Sequence, residues 1–263
     1  MHFYQQTADG VQPRHYVEMS TKPGQLRPTR MSDVKKAAAN GDVWVPSVTT
    51  VLNVLDKPGL NTWRVDMHLE VAATLAEKLP RAPECLQFSR DKFLEECKRL
   101  TELELDKAPS AGTDIHKELE QFYSGTDPLH LEHGSLCVTV DNEIFERTGH
   151  LHHWQPERNF VSNGYGGQVD LSGNGWVIDF KSKQAADKFK PGKMAYNEHR
   201  MQLAAYREGL GMPTARAANV FVCLEDGQVD FHEHSEDELQ KGWHMFQHAL
   251  AIWQLQHDIH GRE

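Results

Sequence analysis

The chain has 263 residues, of which 25% are charged and 39% hydrophobic, and its formal net charge is −10. This length can bury one sizeable core. The acidic balance argues against a general polyanion binder, because non-specific nucleic-acid affinity depends on Lys and Arg neutralising phosphates. Any contact with nucleic acid is therefore expected to be local.

Two further features of the sequence bear on cellular location and on cysteine chemistry. The sequence lacks a run of about 18 apolar residues and a basic-then-apolar leader, so we expect a cytoplasmic protein without membrane contact. The four cysteines are far apart and form no CxxC pair, which predicts neither a disulfide framework nor a structural metal.

The first half of the chain is predicted to be helical after an irregular arm. Residues 1–45 contain Pro, Gly and Arg clusters that are typical of a loop. From residue 46 the apolar spacing is helical, with Ser47 as the cap of a short helix and a second helix over 61–79. A third helix is expected to stop at Pro109, before a fourth in "GTDIHKELEQFY".

The second half is predicted to contain a sheet. Three short strands are expected at about 153–161, 166–171 and 175–182, followed by the helix "NEHRMQLAAYREGLG" and two more strands in "ANVFVCLE" and "QVDFHEH". "SEDE" at Ser235 is a capping box that opens a final helix. These elements predict an α/β fold, with residues 46–263 as one domain whose sheet lies in 150–263.

The strand "WVIDFKSK" is notable because an acid and a base interrupt an apolar run. In an extended chain Val177, Asp179 and Lys181 share one face. Asp170 lies on the preceding strand, and the turn "SGNG" can bring the two aspartates together as a hairpin. Two close carboxylates repel, and a divalent cation is the usual remedy.

This set of side chains suits phosphodiester hydrolysis. Carboxylates hold Mg²⁺ or Mn²⁺, the metal polarises a phosphate oxygen and activates water, and an ammonium stabilises developing negative charge or orients the nucleophile. The alternative is a surface hairpin whose polar face includes an Asp and a Lys, because Asp-x-Lys is a common tripeptide.

Several motifs also resemble a known family. "GGQVD" followed by "VIDFKSK" resembles the PD-(D/E)XK nuclease signature, in which an acid precedes an acid-x-lysine on adjoining strands. "GTDIH" and "QLAAY" are similar to the Gly-x-x-x-His and Gln-x-x-x-Tyr elements of the RecB-type exonuclease branch. Together with "PSVTTVL" and Trp63, they resemble the mitochondrial genome maintenance exonuclease and its phage-encoded relatives, over about Pro46 to Gly211.

The resemblance implies a restriction-endonuclease-like core, with a small mixed sheet flanked by helices and a helical N-terminal part. It implies an Mg²⁺- or Mn²⁺-dependent exonuclease that prefers single-stranded DNA with free ends, and a partner from recombination or replication. Two alternatives stay open: a structure-specific or restriction-type endonuclease on the same core, and a catalytically degenerate recombination partner that only binds nucleic acid.

The resemblance also assigns roles to individual residues. Asp170 and Asp179 are the implied metal ligands, and His116 is implied to be a further ligand or to lie close to the metal. Lys181 is the implied catalytic lysine, on the side of the catalytic base. Gln202 and Tyr206 would orient the lysine or contact the nucleic-acid backbone. Glu157 would supply a further acid behind the metal ligands.

Two further expectations complete the site. The iron–sulfur members of this branch carry clustered cysteines near the C-terminal end, whereas only Cys223 follows "QLAAY" here, so no iron–sulfur cluster is predicted. The segment "KSKQAADKFKPGK" is expected to guide DNA phosphates to the site, although a solvated loop fits the same residues. Its predicted DNA-binding lysines are Lys183, Lys188, Lys190 and Lys193.

Overall fold

The computed structural model of the protein describes residues 2–6, 16–19, 22–78, 90–126, 131–162 and 164–259. The chain divides into two compact units. One is formed by Met1–Leu55 with His116–Glu263, and the other by Asp56–Ile115. The division does not coincide with the predicted boundary at residue 45. Cys85 and part of the predicted arm lie outside the described residues.

The N-terminal residues form regular structure, so the prediction of an irregular arm was wrong for the described part of 1–45. Phe3 is completely buried, and Val34 and Trp44 are buried in the main core, which explains why these short elements are ordered. The elements are β1 (Phe3–Gln5), β2 (Tyr16–Met19), β3 (Lys22–Pro28), α1 (Met31–Ala38) and β4 (Trp44–Pro46). Strand β1 pairs with β4, and β2 pairs with β3, both antiparallel.

Four helices follow: α2 (Val48–Leu52), α3 (Pro58–Lys78), α4 (Arg90–Tyr123) and α5 (Leu131–Thr148). Ser47 caps α2 as predicted, because its side chain accepts a hydrogen bond from the Thr50 backbone N–H. The predicted helix end at Pro109 was wrong, since α4 continues through this residue. A proline inside a helix removes one backbone hydrogen bond without always ending the helix.

The main sheet has five strands in the order β5 (Gln155–Ser162), β6 (Tyr165–Gly173), β7 (Trp176–Lys183), β8 (Arg216–Cys223) and β9 (Val229–His234). Strands β7 and β8 are parallel, because α6 (Asn197–Gly209) crosses between them, and all other pairs are antiparallel. The chain continues into α7 (Glu236–His257), which Ser235 caps with Glu238 as predicted. The predicted α/β class with a small mixed sheet is confirmed, and it is compatible with a restriction-endonuclease-like core.

The core that positions the site lies between the sheet and α6, α7 and α2. The Tyr165 hydroxyl donates a hydrogen bond to the Ala205 carbonyl at 3.0 Å and so ties β6 to α6. Gly167 lets these elements approach closely, since a Cβ there would lie 2.9 Å from the Tyr206 ring. No helix in the described residues combines the length and the apolarity that crossing a membrane requires.

Candidate active site

The two aspartates meet where strands β6 and β7 stop pairing. The antiparallel register runs from Gly173–Trp176 to Leu171–Ile178, and its next step would place Asp170 opposite Asp179. The β6–β7 ladder ends at the pair Leu171–Ile178 instead. The Asp170 carboxylate accepts a hydrogen bond at 2.7 Å from the backbone N–H of Phe180, a group that ladder pairing would otherwise satisfy.

Asp179 is almost completely buried and surrounded by donors. Its Oδ2 lies 2.6 Å from the Lys181 ammonium and accepts a hydrogen bond from Asn219 Nδ2 at 2.8 Å. Its Oδ1 accepts from Gln202 Nε2 at 2.8 Å. Burial raises the pKa of Asp179, and the Asp170 charge raises it further against the lowering effect of Lys181.

Lys181 lies between the carboxylates and α6. Its ammonium donates to Gln202 Oε1 at 3.2 Å, while Gln202 Nε2 also contacts the Tyr206 hydroxyl at 2.8 Å. Burial lowers the pKa of Lys181, but the Asp179 and Asp170 charges outweigh burial, and the net shift is upward. Lys181 is therefore a charged ammonium at neutral pH.

Tyr206 occupies a different position from the one predicted for DNA contact. Its side chain is only 5% exposed, and its hydroxyl faces Gln202 one helical turn earlier. Contact with a nucleic-acid backbone is not available to such a buried group. The structure instead places Tyr206 as a support for the Gln202 amide.

His116 lies on α4 beside the first aspartate. Its Nδ1 is 3.6 Å from Asp170 Oδ2, and its ring packs edge-to-face on Phe180. Burial lowers the pKa of His116, but the nearby Asp170 carboxylate outweighs burial and raises the pKa overall. Burial pushes the pKa of Asp170 upward, yet His116, Lys181 and the Phe180 N–H hold it below its usual value.

Glu157 is the third acid of the site. The β5–β6 register flanks it with the pairs Pro156–Leu171 and Arg158–Val169, which places Glu157 opposite Asp170. Its φ of 51° is in the left-handed region that non-glycine residues rarely adopt. Burial, followed by the Asp170 charge, raises the pKa of Glu157 to about 8.

The donor set fits a hard divalent cation. Burial is the main cause that raises the pKa values of Glu157 and Asp179, and the nearby Asp170 charge raises both further. Mg²⁺ typically binds one or two carboxylates and keeps several waters, which suits the aspartate pair. Within the described residues, the one group of three candidate ligands that all lie within 4.8 Å is elsewhere, on β9 and α7.

The basic segment lies next to this site in sequence. Lys188, Lys190 and Lys193 are exposed, while Lys183 is half-buried with its ammonium 5.8 Å above the Tyr196 ring. Tyr196 is 57% exposed. Tyr196, an exposed aromatic residue close in sequence to these lysines, was not singled out from the sequence.

Asn219 was also missed. It is buried in β8 in register with Asp179, and it donates to the Asp179 carboxylate. A polar residue inside the apolar strand "ANVFVC" was the available signal, because a buried amide requires hydrogen-bond partners.

No family model and no curated protein sequence matches this chain. Among solved structures, the chain is similar to LHK-Exo, an alkaline exonuclease from Laribacter hongkongensis. The identity is 15% and the TM-score 0.33, over 56% of this chain and 81% of that one. It is also similar to the protein SSO0001, with 12% identity and a TM-score of 0.27, over 44% of this chain and 56% of that protein. At such low similarity the function has to be argued from the site itself.

Proposed function

We propose that the protein is a metal-dependent nuclease of the PD-(D/E)XK type that hydrolyses DNA phosphodiester bonds. The observation that carries this proposal is the contact between buried Asp179 and half-buried Lys181 beside Asp170, at the point where two strands stop pairing. Buried charges are costly unless they are paired or hold a metal, and such clusters are concentrated at catalytic sites.

Asp170 and Asp179 would hold Mg²⁺ or Mn²⁺, and Glu157 and His116 would adjust the charge around the ion. When bound, the metal supplies Lewis-acid polarisation of the phosphate and an activated water. The chain's own contribution is to fix the carboxylates. Asn219, Gln202 and the Phe180 N–H hold them through charge-assisted hydrogen bonds.

Lys181 is proposed to stabilise negative charge on the phosphate rather than to accept a proton from water. An ammonium with a raised pKa keeps its proton at neutral pH. Gln202 orients it through the contact at 3.2 Å, and Tyr206 holds Gln202.

The preferred substrate is proposed to be single-stranded DNA with free ends. Exposed lysines neutralise phosphates without reading the sequence, and Tyr196 offers a face on which a base can stack. A local basic segment of this kind is compatible with a net charge of −10, because salt screens charges beyond roughly 8 Å.

Nuclease assays on the full chain test the proposal. With Mg²⁺ or Mn²⁺, the wild-type chain is expected to degrade linear single-stranded DNA, and EDTA is expected to stop the reaction. Asp179→Asn should abolish activity, and Lys181→Ala should lower it by about 10²-fold or more, because an electrostatic contact to the reacting group is lost. Asp42→Asn and Lys35→Ala, at exposed positions, serve as matched controls.

Retained activity in both site variants would contradict the assignment, provided that circular dichroism shows all chains to be folded. A circular single strand separates the remaining alternatives. An exonuclease leaves it intact, whereas an endonuclease cuts it. DNA binding by the wild-type chain without any hydrolysis would favour the catalytically degenerate partner.

A further inference from the structure

A second cluster of potential metal ligands lies at the edge of the sheet. His232 and His234 are on β9, and Glu238 is in the first turn of α7. One ligand atom from each lies within 4.8 Å of the others, and the two imidazole centroids are 4.7 Å apart. The three residues fall within seven positions of the chain, so a short local segment forms the whole group.

His234 has a buried ring nitrogen, Nδ1, without a hydrogen-bond partner among the described residues. The side chain is only 4% exposed, and its Nε2 lies 2.8 Å from Asn219 Oδ1. Asn219 Nδ2 donates to the Asp179 carboxylate, so Oδ1 is the acceptor and His234 Nε2 carries the proton. In the neutral ring Nδ1 then has a free lone pair, and this buried atom has no hydrogen-bond partner among the described residues.

The protonation state of the His234 ring agrees with a proton on Nε2 and a free lone pair on Nδ1. Burial is the main cause that lowers the pKa of His234 to about 4, and the charge of His232 acts in the same direction. His234 is therefore neutral at pH 7. A buried nitrogen without a partner is costly, and such atoms usually find a protein group, a water or an ion.

The other two residues complete a set of donors with access to solvent. Both are half-buried. Glu238 Oε2 accepts hydrogen bonds from the Ser235 backbone N–H and hydroxyl, both at 2.9 Å, which fixes the carboxylate at the start of α7. Both of these bonds use Oε2, so Oε1 can serve as a ligand atom.

We propose that His232, His234 and Glu238 form a second metal site, distinct from the aspartate pair, for Zn²⁺ or a chemically similar ion. Two imidazole nitrogens and one carboxylate oxygen are typical zinc ligands at about 2.0–2.2 Å, with water in the fourth position. The side chains would close slightly around the ion, since their ligand atoms span up to 4.8 Å before it binds.

The site would also act on the proposed active centre. A metal on Nδ1 keeps the His234 proton on Nε2, where it donates to Asn219, and Asn219 donates to Asp179. The ion would thus link β9 to α7 and fix the amide that positions Asp179. This consequence rests on the proposed nuclease function, whereas the metal site itself does not.

Metal binding to the full chain tests the site directly. The chain is stripped with a chelator, dialysed and titrated with Zn²⁺ by calorimetry, and with Co²⁺ by visible absorption. We expect a tetrahedral Co²⁺ spectrum, and a site that His232→Asn with His234→Asn abolishes, because only one protein ligand is left. Glu238→Gln should weaken it, since a neutral amide is a poorer ligand than a carboxylate, and because Gln preserves the capping box this variant should still fold.

His244→Asn with His248→Asn is the matched control, because this exposed pair lies at i and i+4 on the same helix α7. It should leave both the affinity and the spectrum unchanged. Asp170→Asn should also retain the site, which separates it from the aspartate pair. The proposal is overturned if the wild-type chain shows no such site, if the His232/His234 and Glu238 variants bind like wild type, or if the control loses binding. None of these results depends on whether the chain cleaves DNA.

Discussion

Glu157 has a φ of 51° and lies opposite Asp170 in the β5–β6 register. A strained backbone at a half-buried acid costs free energy of folding, which sites commonly tolerate for function. The pKa of this residue, raised to about 8 from the ordinary 4.5, is a second cost of the same position. Both are consistent with a carboxylate retained for its charge beside the proposed metal ligands.

Glu157→Gln is expected to stabilise the metal-free chain at alkaline pH. As pH rises from 4.5 towards 8, the unfolded state loses the Glu157 proton first, so the folded state binds more protons and its stability falls. A glutamine at position 157 has no such proton to lose, so this fall in stability should be absent in the variant. We expect the free energy of unfolding at pH 8 in EDTA to rise by about 1–2 kcal/mol, a figure reduced for solvent screening of a half-buried group.

Urea unfolding at pH 4 and pH 8 provides the measurement. The gain should be absent at pH 4, where the acid is protonated in both states. Glu146→Gln, at an exposed position on α5, is the control and should show no pH-dependent difference. An equal gain at both pH values would mean that ionisation of Glu157 is not the cause.

At the scale of elements, α6 supports the site. Its buried face packs on the sheet, and the same helix presents Gln202 and Tyr206 one turn apart. The Gln202 amide faces Lys181 with its oxygen and Asp179 with its nitrogen. A rotation of this amide would place a donor against an ammonium, so the Tyr206 hydroxyl that holds the amide is important.

Tyr206→Phe is expected to lower kcat with little change in DNA affinity. Loss of the hydroxyl frees the Gln202 amide and costs about 1 kcal/mol of stability, the typical net value of a hydrogen bond. Tyr165→Phe is a close control, because it removes another buried hydroxyl, the one bonded to Ala205, away from the aspartates. Thermal unfolding should show a similar loss for both variants, while steady-state nuclease assays show lower kcat for Tyr206→Phe alone. Equal kcat values would reduce Tyr206 to a packing role.

At the scale of the whole molecule, charge is distributed unevenly. The net charge is −10, yet the segment from Lys181 to Lys193 contains five lysines and one aspartate. The predicted DNA-binding role of Lys183, Lys188, Lys190 and Lys193 remains a proposal. Salt dependence is the suitable test, because phosphate contacts release counterions.

Lys188→Ala, Lys190→Ala and Lys193→Ala in one chain are expected to weaken binding to single-stranded DNA. The slope of log K against log salt should fall in magnitude by about 2, since each phosphate contact on a single strand contributes about 0.7. Fluorescence anisotropy at several salt concentrations measures the slope. Lys35→Ala, Lys36→Ala and Lys241→Ala, three exposed lysines elsewhere in sequence, form the control and should leave it unchanged. Equal slopes for the two triple variants would contradict a role of the Lys181–Lys193 segment in DNA binding.

The local patterns that the sequence predicted well are those with a strong period or cap. Strands β5 to β9 alternate or run apolar between turns, and Ser235 with Glu238 opens α7 as expected. The N-terminal strands were missed because β1 has three residues and gains its stability from pairing with β4, about 40 positions away. The helix end predicted at Pro109 was wrong because a long helix tolerates one missing backbone hydrogen bond.

The sequence by itself determined the α/β class, and the positions of Asp170, Asp179 and Lys181 on successive strands, because alternation and turn chemistry are local properties. Only the tertiary structure decided what surrounds them. The end of the β6–β7 ladder, the Asn219 amide from β8 and the position of Glu157 opposite Asp170 all depend on strand register. Register is set by packing between distant segments, so local patterns do not contain it.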